Sequence, residues 1–143
     1  MAPAHVLVPM DGSPLADDAL VHALETFDCR TTVLNVVTPL DDGMAEGGIL
    51  DRAPEQQEAA RERADRLAGL AVERADEAGR EIETVVEDGK PAETIVSYVE
   101  DHGIDHVVMG GHSGDRHELT RRLLGTVATT VVSEAPVTVT VVR

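Results

Sequence analysis

Short, nearly continuous apolar runs occur at five places along the chain, and turn-forming residues follow most of them. Runs of this length that are rich in Val predict strands buried on both faces of a sheet. The five predicted strands are His5–Pro9, Thr31–Val37, Ile82–Val86, His106–Met109 and Val137–Val142.

Between these runs, apolar residues recur at helical spacing. The first such segment runs from Ala16 to Phe27 at intervals of three and four residues, with Ser13 as its N-cap and Pro14 in its first turn. Three more helices are predicted, over Pro54–Ala78, from Lys90-Pro91 to the stop at Gly103, and over Leu123–Glu134.

Two long stretches show neither the strand pattern nor the helix pattern and are predicted to be loops, Thr38–Ala53 and Gly110–Arg122.

The long helix between the second and third strands should turn its small apolar residues inward. These are Ala60, Ala64, Leu67, Ala71, Ala75 and Ala78.

Strands and helices therefore alternate without a repeat or linker, which predicts a single α/β domain over residues 1–143. Helical connections make the sheet parallel and cover both of its faces, giving a three-layer sandwich. Five strands leave two orders open, 2-1-3-4-5 and 3-2-1-4-5. Both place the first strand beside the point where the winding reverses, and ligands bind there, beyond the carboxyl ends of strands. Function is therefore expected after the first and fourth strands.

Composition narrows the classes of function. The chain has 12 Lys and Arg against 27 Asp and Glu, a net charge of -15, and only 1% aromatic residues. It therefore lacks the basic surface and stacking side chains of a nucleic-acid-binding protein. No apolar run is long enough to span a bilayer, and the first residues show no signal-peptide pattern. Cys29 is the only cysteine, which excludes a disulfide scaffold and fits a cytoplasmic location. The scarcity of lysine beside abundant Asp and Glu points to a halophilic source.

The turn after the first strand carries an acidic side chain. Pro9 ends that strand and Asp11 follows it, so the carboxylate is expected at the edge of the sheet, where it can accept hydrogen bonds from sugar hydroxyls. The Asp-Gly-Ser sequence is equally typical of an ordinary strand-to-helix turn. Both interpretations of Asp11 stay open on the residues alone.

The segment after the fourth strand is rich in glycine and arginine. Glycines let a ligand approach the main chain closely, and the start of a helix supplies free N–H groups and a positive dipole end. Residues 115–122 hold three arginines against two acids, so this segment is locally basic in an acidic chain. A di- or triphosphate is the expected ligand, and a plain glycine-rich surface loop is the alternative. The residues of this expected anion site are Gly110, Gly111, Gly114, Arg116, Gly125 and Thr126.

Several sharper motifs are absent. No G-x-G-x-x-G follows the first strand, and the only lysine, Lys90, precedes proline and so belongs to no P-loop. The sequence Gly111-His112-Ser113-Gly114-Asp115 fails the G-x-S-x-G pattern at its last position. The histidines show no metal-ligand spacing, so no metal site is expected.

Four stretches together resemble the universal stress protein family: VLVPMDGSPLADDAL, VLNVV, GKPAETIVSYVEDHGIDHVVMG and LLGTVATTVVSEAPVTVTVV. The resemblance covers essentially the whole chain. It implies a Rossmann-like sheet of order 3-2-1-4-5, of the adenine nucleotide alpha hydrolase type, and a homodimer formed through the last strand. In one subclass it implies ATP at the switch point, with or without Mg²⁺, in a stress-response protein.

Carried over position by position, the resemblance implies a role for each candidate residue. Val36 meets adenine through its backbone, Asp11 lies near the ribose, Met109 and Gly110 flank base and sugar, and Gly111, Gly114, Gly125 and Thr126 cradle the phosphates. Pro9 and Arg116 complete the expected nucleotide-binding set.

The glycine pattern departs from that of the subclass by one residue, because ten residues instead of nine separate Gly114 from Gly125. The competing interpretation is therefore a dimeric interaction module that binds no nucleotide. The third interpretation is a slow ATPase. The only candidate general bases near the crevice are Asp11, His112 and His117, and none of them stands out, so fast hydrolysis is not expected.

The last predicted strand, Val137–Val142, alternates Val with Thr and carries no charge. An uncovered edge strand of this composition is a template for pairing. The physical pattern thus independently favours a homodimer related by a two-fold axis.

Overall fold

The computed structural model describes residues 2–38, 53–112 and 124–143. Within these ranges, five parallel strands form one sheet in the order 3-2-1-4-5, which confirms this order over 2-1-3-4-5. The strands are β1 (His5–Pro9), β2 (Arg30–Val37), β3 (Glu83–Asp88), β4 (His106–Gly110) and β5 (Thr138–Val142).

Helices cover both faces of the sheet, as predicted. In the central strand, Val6 and Val8 pack toward one face and Leu7 toward the other, so alternate side chains serve two separate cores. The first core includes α1 and α2, and the second includes α3 and α4. None of the helices in the described ranges is long and apolar enough to cross a bilayer. The helices are α1 (Pro14–Thr26), α2 (Ala53–Glu77), α3 (Pro91–Asp101) and α4 (Thr126–Glu134).

Most predicted boundaries agree with the structure to within one residue, but two differ by more, for physical reasons. Helix α4 begins at Thr126 and not at Leu123, because Gly125 is its extended N-cap. Strand β3 continues past its apolar run to Asp88, which lies in register with Val37, because an edge strand can carry acids. The inner face of α2 is buried from Ala64 to Ala75, whereas Ala78 lies beyond the end of the helix and is exposed.

A crevice opens beside the carboxyl end of β1. This strand is in register with β2 to its last residue, Pro9, whereas its register with β4 ends at Leu7. The N-terminus of α1 approaches β4 there so closely that a Cβ on Gly110 would stand 2.9 Å from the backbone of Leu15. The fold thus places its opening at the topological switch point.

Candidate functional site

A cavity of about 350 Å³ lies at the carboxyl ends of β1, β2 and β4, bordered by the first turns of α1, α3 and α4. This volume falls within the range of small-molecule pockets. The structure places seven of the predicted site residues in its wall, namely Pro9, Asp11, Val36, Met109, Gly110, Gly125 and Thr126.

Three other predicted site residues do not line the described cavity. Gly114 and Arg116 lie outside the described residues. Gly111 is buried behind the wall, where its N–H donates to the carbonyl of Val142 at 2.8 Å and its own carbonyl accepts from the N–H of Gly125 at 2.6 Å. Gly111 therefore connects β5 to the start of α4.

The turn that carries Asp11 is held from three directions. The Oδ1 atom of Asp11 accepts from the N–H of Ser13 at 2.9 Å, which is an Asx-turn. Asn35 Nδ2 donates to the carbonyl of Met10 at 2.8 Å. Arg63, on α2, donates from Nη2 to the carbonyl of Asp11 at 2.9 Å. The carboxylate thus has the turn role anticipated from the sequence and also stands in the cavity wall.

The two helices that begin beside β1 and β4 differ in how their first turns are satisfied. In α1, the hydroxyl of Ser13 accepts from the N–H of Ala16 at 3.3 Å, so the predicted N-cap is confirmed. In α4, Gly125 supplies no side-chain cap. Within the described residues, nothing accepts hydrogen bonds from the N–H groups of residues 126–128, which all line the cavity. The start of α4 is therefore the part of the wall best suited to an anion.

The opposite side of the cavity is apolar. Leu34 and Val36 come from β2, and Pro91 and Ile95 come from the first turns of α3. Because neighbouring strands lie about 4.8 Å apart, the distance from the end of β2 to the end of β4 is roughly 10 Å. The cavity thus runs from an apolar end, past a carboxylate, to a helix N-terminus.

Asp11 is the only acid among the described residues that line the cavity, although the chain carries a net charge of -15. The other ionisable side chain in the wall is His112. No three His, Cys, Asp or Glu side chains come together as a metal site within the described ranges. The electrostatic potential in the cavity is therefore less unfavourable for an anion than the net charge of the chain suggests.

Among the residues that the structure describes, the groups with shifted pKa values lie away from this cavity. Burial lowers the pKa of His5 and of His106, which stand at the amino ends of β1 and β4. Burial also raises the pKa of the Cys29 thiol, which disfavours the nucleophilic thiolate. The described site thus offers binding groups and few candidates for acid–base chemistry.

Sequence reasoning missed several residues of the wall. Leu34 precedes Val36 by two residues on the same strand face, so the two-residue period could have identified it. Pro91 and Ile95 belong to the helix after β3, and only the packing of that helix across the sheet shows that they reach the cavity.

Comparison with known proteins gives a consistent result. A model of the universal stress protein family matches residues 4–143. A universal stress protein of Methanocaldococcus jannaschii is 32% identical over 148 aligned residues, covering 96% of this chain and 81% of that protein. The structure of UspA from Lactobacillus plantarum superimposes with a TM-score of 0.80 at 24% identity, covering 100% of this chain and 99% of that one.

Two similar structures contain nucleotides. One is a universal stress protein in complex with cAMP, with a TM-score of 0.70, 21% identity, and coverage of 100% of this chain and 99% of that one. The other is a family protein from Arabidopsis thaliana with AMP bound, with a TM-score of 0.69, 19% identity, and coverage of 98% and 91%. At these identities the likeness concerns the fold.

Proposed function

This chain belongs to the universal stress protein family, and from that premise we propose that its cavity binds an adenine nucleotide, ATP, in a stress-response role. One observation carries the proposal: a single cavity combines an apolar end, a carboxylate and a helix N-terminus without a side-chain cap. These features succeed one another in the order of base, sugar and phosphate. Nucleotides bound to two family members of the same fold support it.

The apolar end fits the base. Leu34, Val36, Pro91 and Ile95 offer flat aliphatic contact to adenine, and the backbone of Val36 at the end of β2 supplies polar groups for its edge. Apolar walls with a few fixed polar groups are the usual design of small-molecule sites.

The other two features fit the sugar and the phosphates. Asp11 can accept hydrogen bonds from ribose hydroxyls, and an acid suits hydroxyl groups but repels phosphate. The phosphates then belong at the start of α4, where the N–H groups of residues 126–128 and the hydroxyl of Thr126 donate. Mg²⁺ would accompany ATP on its phosphate oxygens and lower the charge that the acidic chain has to accept.

Two substitutions test the assignment. Asp11→Asn and Thr126→Val should each weaken ATP binding by about 10-fold, since each removes a polar contact worth about 1.4 kcal/mol. Asp101→Asn at the exposed end of α3 and Thr130→Val, whose hydroxyl donates to the carbonyl of Thr126, are the matched controls. Calorimetric titration with unchanged affinity in both site variants would contradict the assignment.

Rapid hydrolysis is outside the proposal. Asp11 lies at the sugar position with Oδ1 bonded to the N–H of Ser13, so it is poorly placed to activate water at a terminal phosphate. Slow turnover is the alternative, with His112 beside the start of α4 as its candidate group. Phosphate release above the blank that is lost in His112→Gln would favour the alternative.

We also propose that the protein is a homodimer through β5. The sheet order leaves β3 and β5 as edges. Strand β3 carries Glu83, Glu87 and Asp88, and charge of this kind protects an edge from pairing. Strand β5 has no charged residue, and its last four residues are only half-buried. Pairing of β5 with a second copy would satisfy its free main-chain groups. The same β5 surface would be the dimer interface if the protein is instead an interaction module that binds no nucleotide.

A further inference from the structure

We propose that Arg63 of α2 is a positioning residue for ribose recognition, acting through the peptide of Asp11. The inference rests on the proposed function, because it assigns the sugar hydroxyls of a bound nucleotide to Asp11. Arg63 belongs to a helix that contributes no described residue to the cavity wall, so it acts from behind the wall.

The contact is direct and reaches across the fold. Arg63 Nη2 donates to the main-chain carbonyl of Asp11 at 2.9 Å, although the two residues stand 52 positions apart. One helical turn later, Leu67 lies against the same turn: a Cβ on Gly12 would stand 3.3 Å from Leu67 Cδ2 and 3.5 Å from Arg63 Nη2. Gly12 has a φ of +86°, so the turn adopts a conformation that glycine tolerates and α2 covers it closely.

This bond fixes the plane of the peptide that follows the Asp11 Cα. The Asx-turn to Ser13 fixes one carboxylate oxygen, Oδ1. No hydrogen bond to Oδ2 occurs within the described residues, so this oxygen remains to accept from a ligand hydroxyl. Its direction depends on the backbone that Arg63 holds. The guanidinium of Arg63 therefore affects the selectivity for ribose indirectly, through the orientation of the Asp11 carboxylate.

The charge environment suggests that this role is specific to Arg63. Residues 59, 60, 66 and 67 occupy the helical neighbour positions of Arg63, and none of them is acidic. In contrast, Arg61 has Glu58 and Asp65 at those spacings. Arg63 forms no ion pair within the described ranges, in a chain with 27 acids. Its one hydrogen bond there goes to the Asp11 turn.

The test compares two ligands that differ only in the sugar, ATP and 2′,3′-dideoxy-ATP. Wild-type protein should bind ATP more tightly by about 10- to 100-fold, the range expected for hydrogen bonds to a carboxylate. Arg63→Met should reduce the ratio of the affinity for ATP to the affinity for 2′,3′-dideoxy-ATP by about fivefold or more, mainly by weakening ATP binding. Arg63→Lys keeps a positively charged hydrogen-bond donor at this position and should restore most of the ratio. In the Asp11→Asn background, Arg63→Met should have no further effect on the ratio, because the two residues act as one unit.

Arg61→Met, on the same helix, makes the same change of charge and should leave both affinities as in the wild type. If Arg63→Met weakens the two ligands equally, or leaves both unchanged, the positioning role is wrong while nucleotide binding stands. If wild-type protein binds neither ligand, the proposed function itself fails, and this inference fails with it. Thermal unfolding of every variant shows that the comparison is made on folded protein.

Discussion

Gly110 illustrates how a single residue joins the fold to the site. It ends β4 in the cavity wall, and the first turn of α1 lies directly against it. A Cβ at this position would stand 2.9 Å from both the carbonyl carbon and the Cβ of Leu15, and 3.0 Å from the N of Ala16. These atoms are mostly main chain and cannot rotate away. The glycine predicted as a ligand residue is therefore also required for α1 to pack beside β4.

Gly110→Ala should accordingly lower the free energy of unfolding by about 1–3 kcal/mol, the usual cost of overpacking. Gly69→Ala is the matched control, because Gly69 lies within α2 and no atom stands within 4 Å of its added Cβ. The control should be neutral or stabilise by up to about 1 kcal/mol. Urea denaturation measures both, and equal stabilities of the two variants would contradict the close packing at Gly110.

One buried and one half-buried histidine, His5 and His106, predict how stability depends on pH. His5 Nε2 contacts Thr32 Oγ1 at 2.7 Å, and His106 Nε2 contacts Thr140 Oγ1 at 2.7 Å. Burial is the largest cause that lowers the pKa of both histidines below 6.5. The charge of Arg30 lowers the pKa of His5 further, whereas Glu83 and Asp105 raise it. His22 lowers the pKa of His106 further. As pH falls below 6.5, the unfolded chain takes up these protons before the folded one does, so the free energy of unfolding should fall.

Urea denaturation on the two sides of that pH measures the loss. A His5→Gln, His106→Gln double variant keeps side-chain partners for the threonines but has no group that titrates there, so its stability should change less. A wild-type protein as stable below pH 6.5 as above it would show that the histidines do not contribute in this way.

Sequence reasoning found the parts of the site that follow strands directly. Asp11, Gly110 and Thr126 were predicted because parallel topology brings strand ends and helix starts to one edge, whereas Val36 and Met109 were implied by the family resemblance. Arg63 was not predicted, because its place depends on how α2 lies across the turn after β1. No local pattern encodes that long-range packing.

At the scale of elements, the two edges of the sheet have opposite chemistry. Three acids on β3 discourage pairing, whereas β5 consists of Thr and Val alone. The proposed dimer follows from this contrast, and charge added to each edge in turn can test it.

Thr138→Lys, on β5, should weaken self-association by at least about 10-fold, because a two-fold axis brings the two new charges into one interface. Thr84→Lys on β3 is the matched control, since both threonines are exposed on edge strands, and it should leave the association unchanged. Sedimentation at micromolar concentration gives the oligomeric state. A wild-type monomer, or equal behaviour of the two variants, would contradict the proposed interface.

The sequence predicted all nine helices and strands that the structure describes, and the ends that it misplaced have local causes. The apolar run of β3 stops at Val86, but hydrogen bonding to β2 carries the strand on to Asp88. The start of α4 depends on a contact with Gly111, a neighbour in space. Patterns identify segments that need burial, whereas hydrogen bonds between elements decide where each segment ends. The choice between two sheet orders likewise came from the family resemblance and not from periodicity.

At the scale of the whole molecule, the charge of -15 and the nucleotide proposal have to be reconciled. The described cavity contains one acid, so most of the negative charge lies elsewhere. The remaining repulsion of an anionic ligand is long-range, and dissolved salt screens it over about 10 Å at 0.1 M and about 3 Å at 1 M. Nucleotide binding should therefore be retained or improved at high salt, although salt weakens the direct contacts.

Titration calorimetry of the wild-type protein with Mg-ATP, at low and at about 1 M KCl, is the decisive experiment for nucleotide binding in this cavity. We expect saturable binding with one nucleotide per chain, an affinity at high KCl at least equal to that at low KCl, and a matching rise of the melting temperature. No heat of binding and no thermal stabilisation by millimolar ATP at either salt concentration would contradict it. The cavity would then have to be assigned to another ligand.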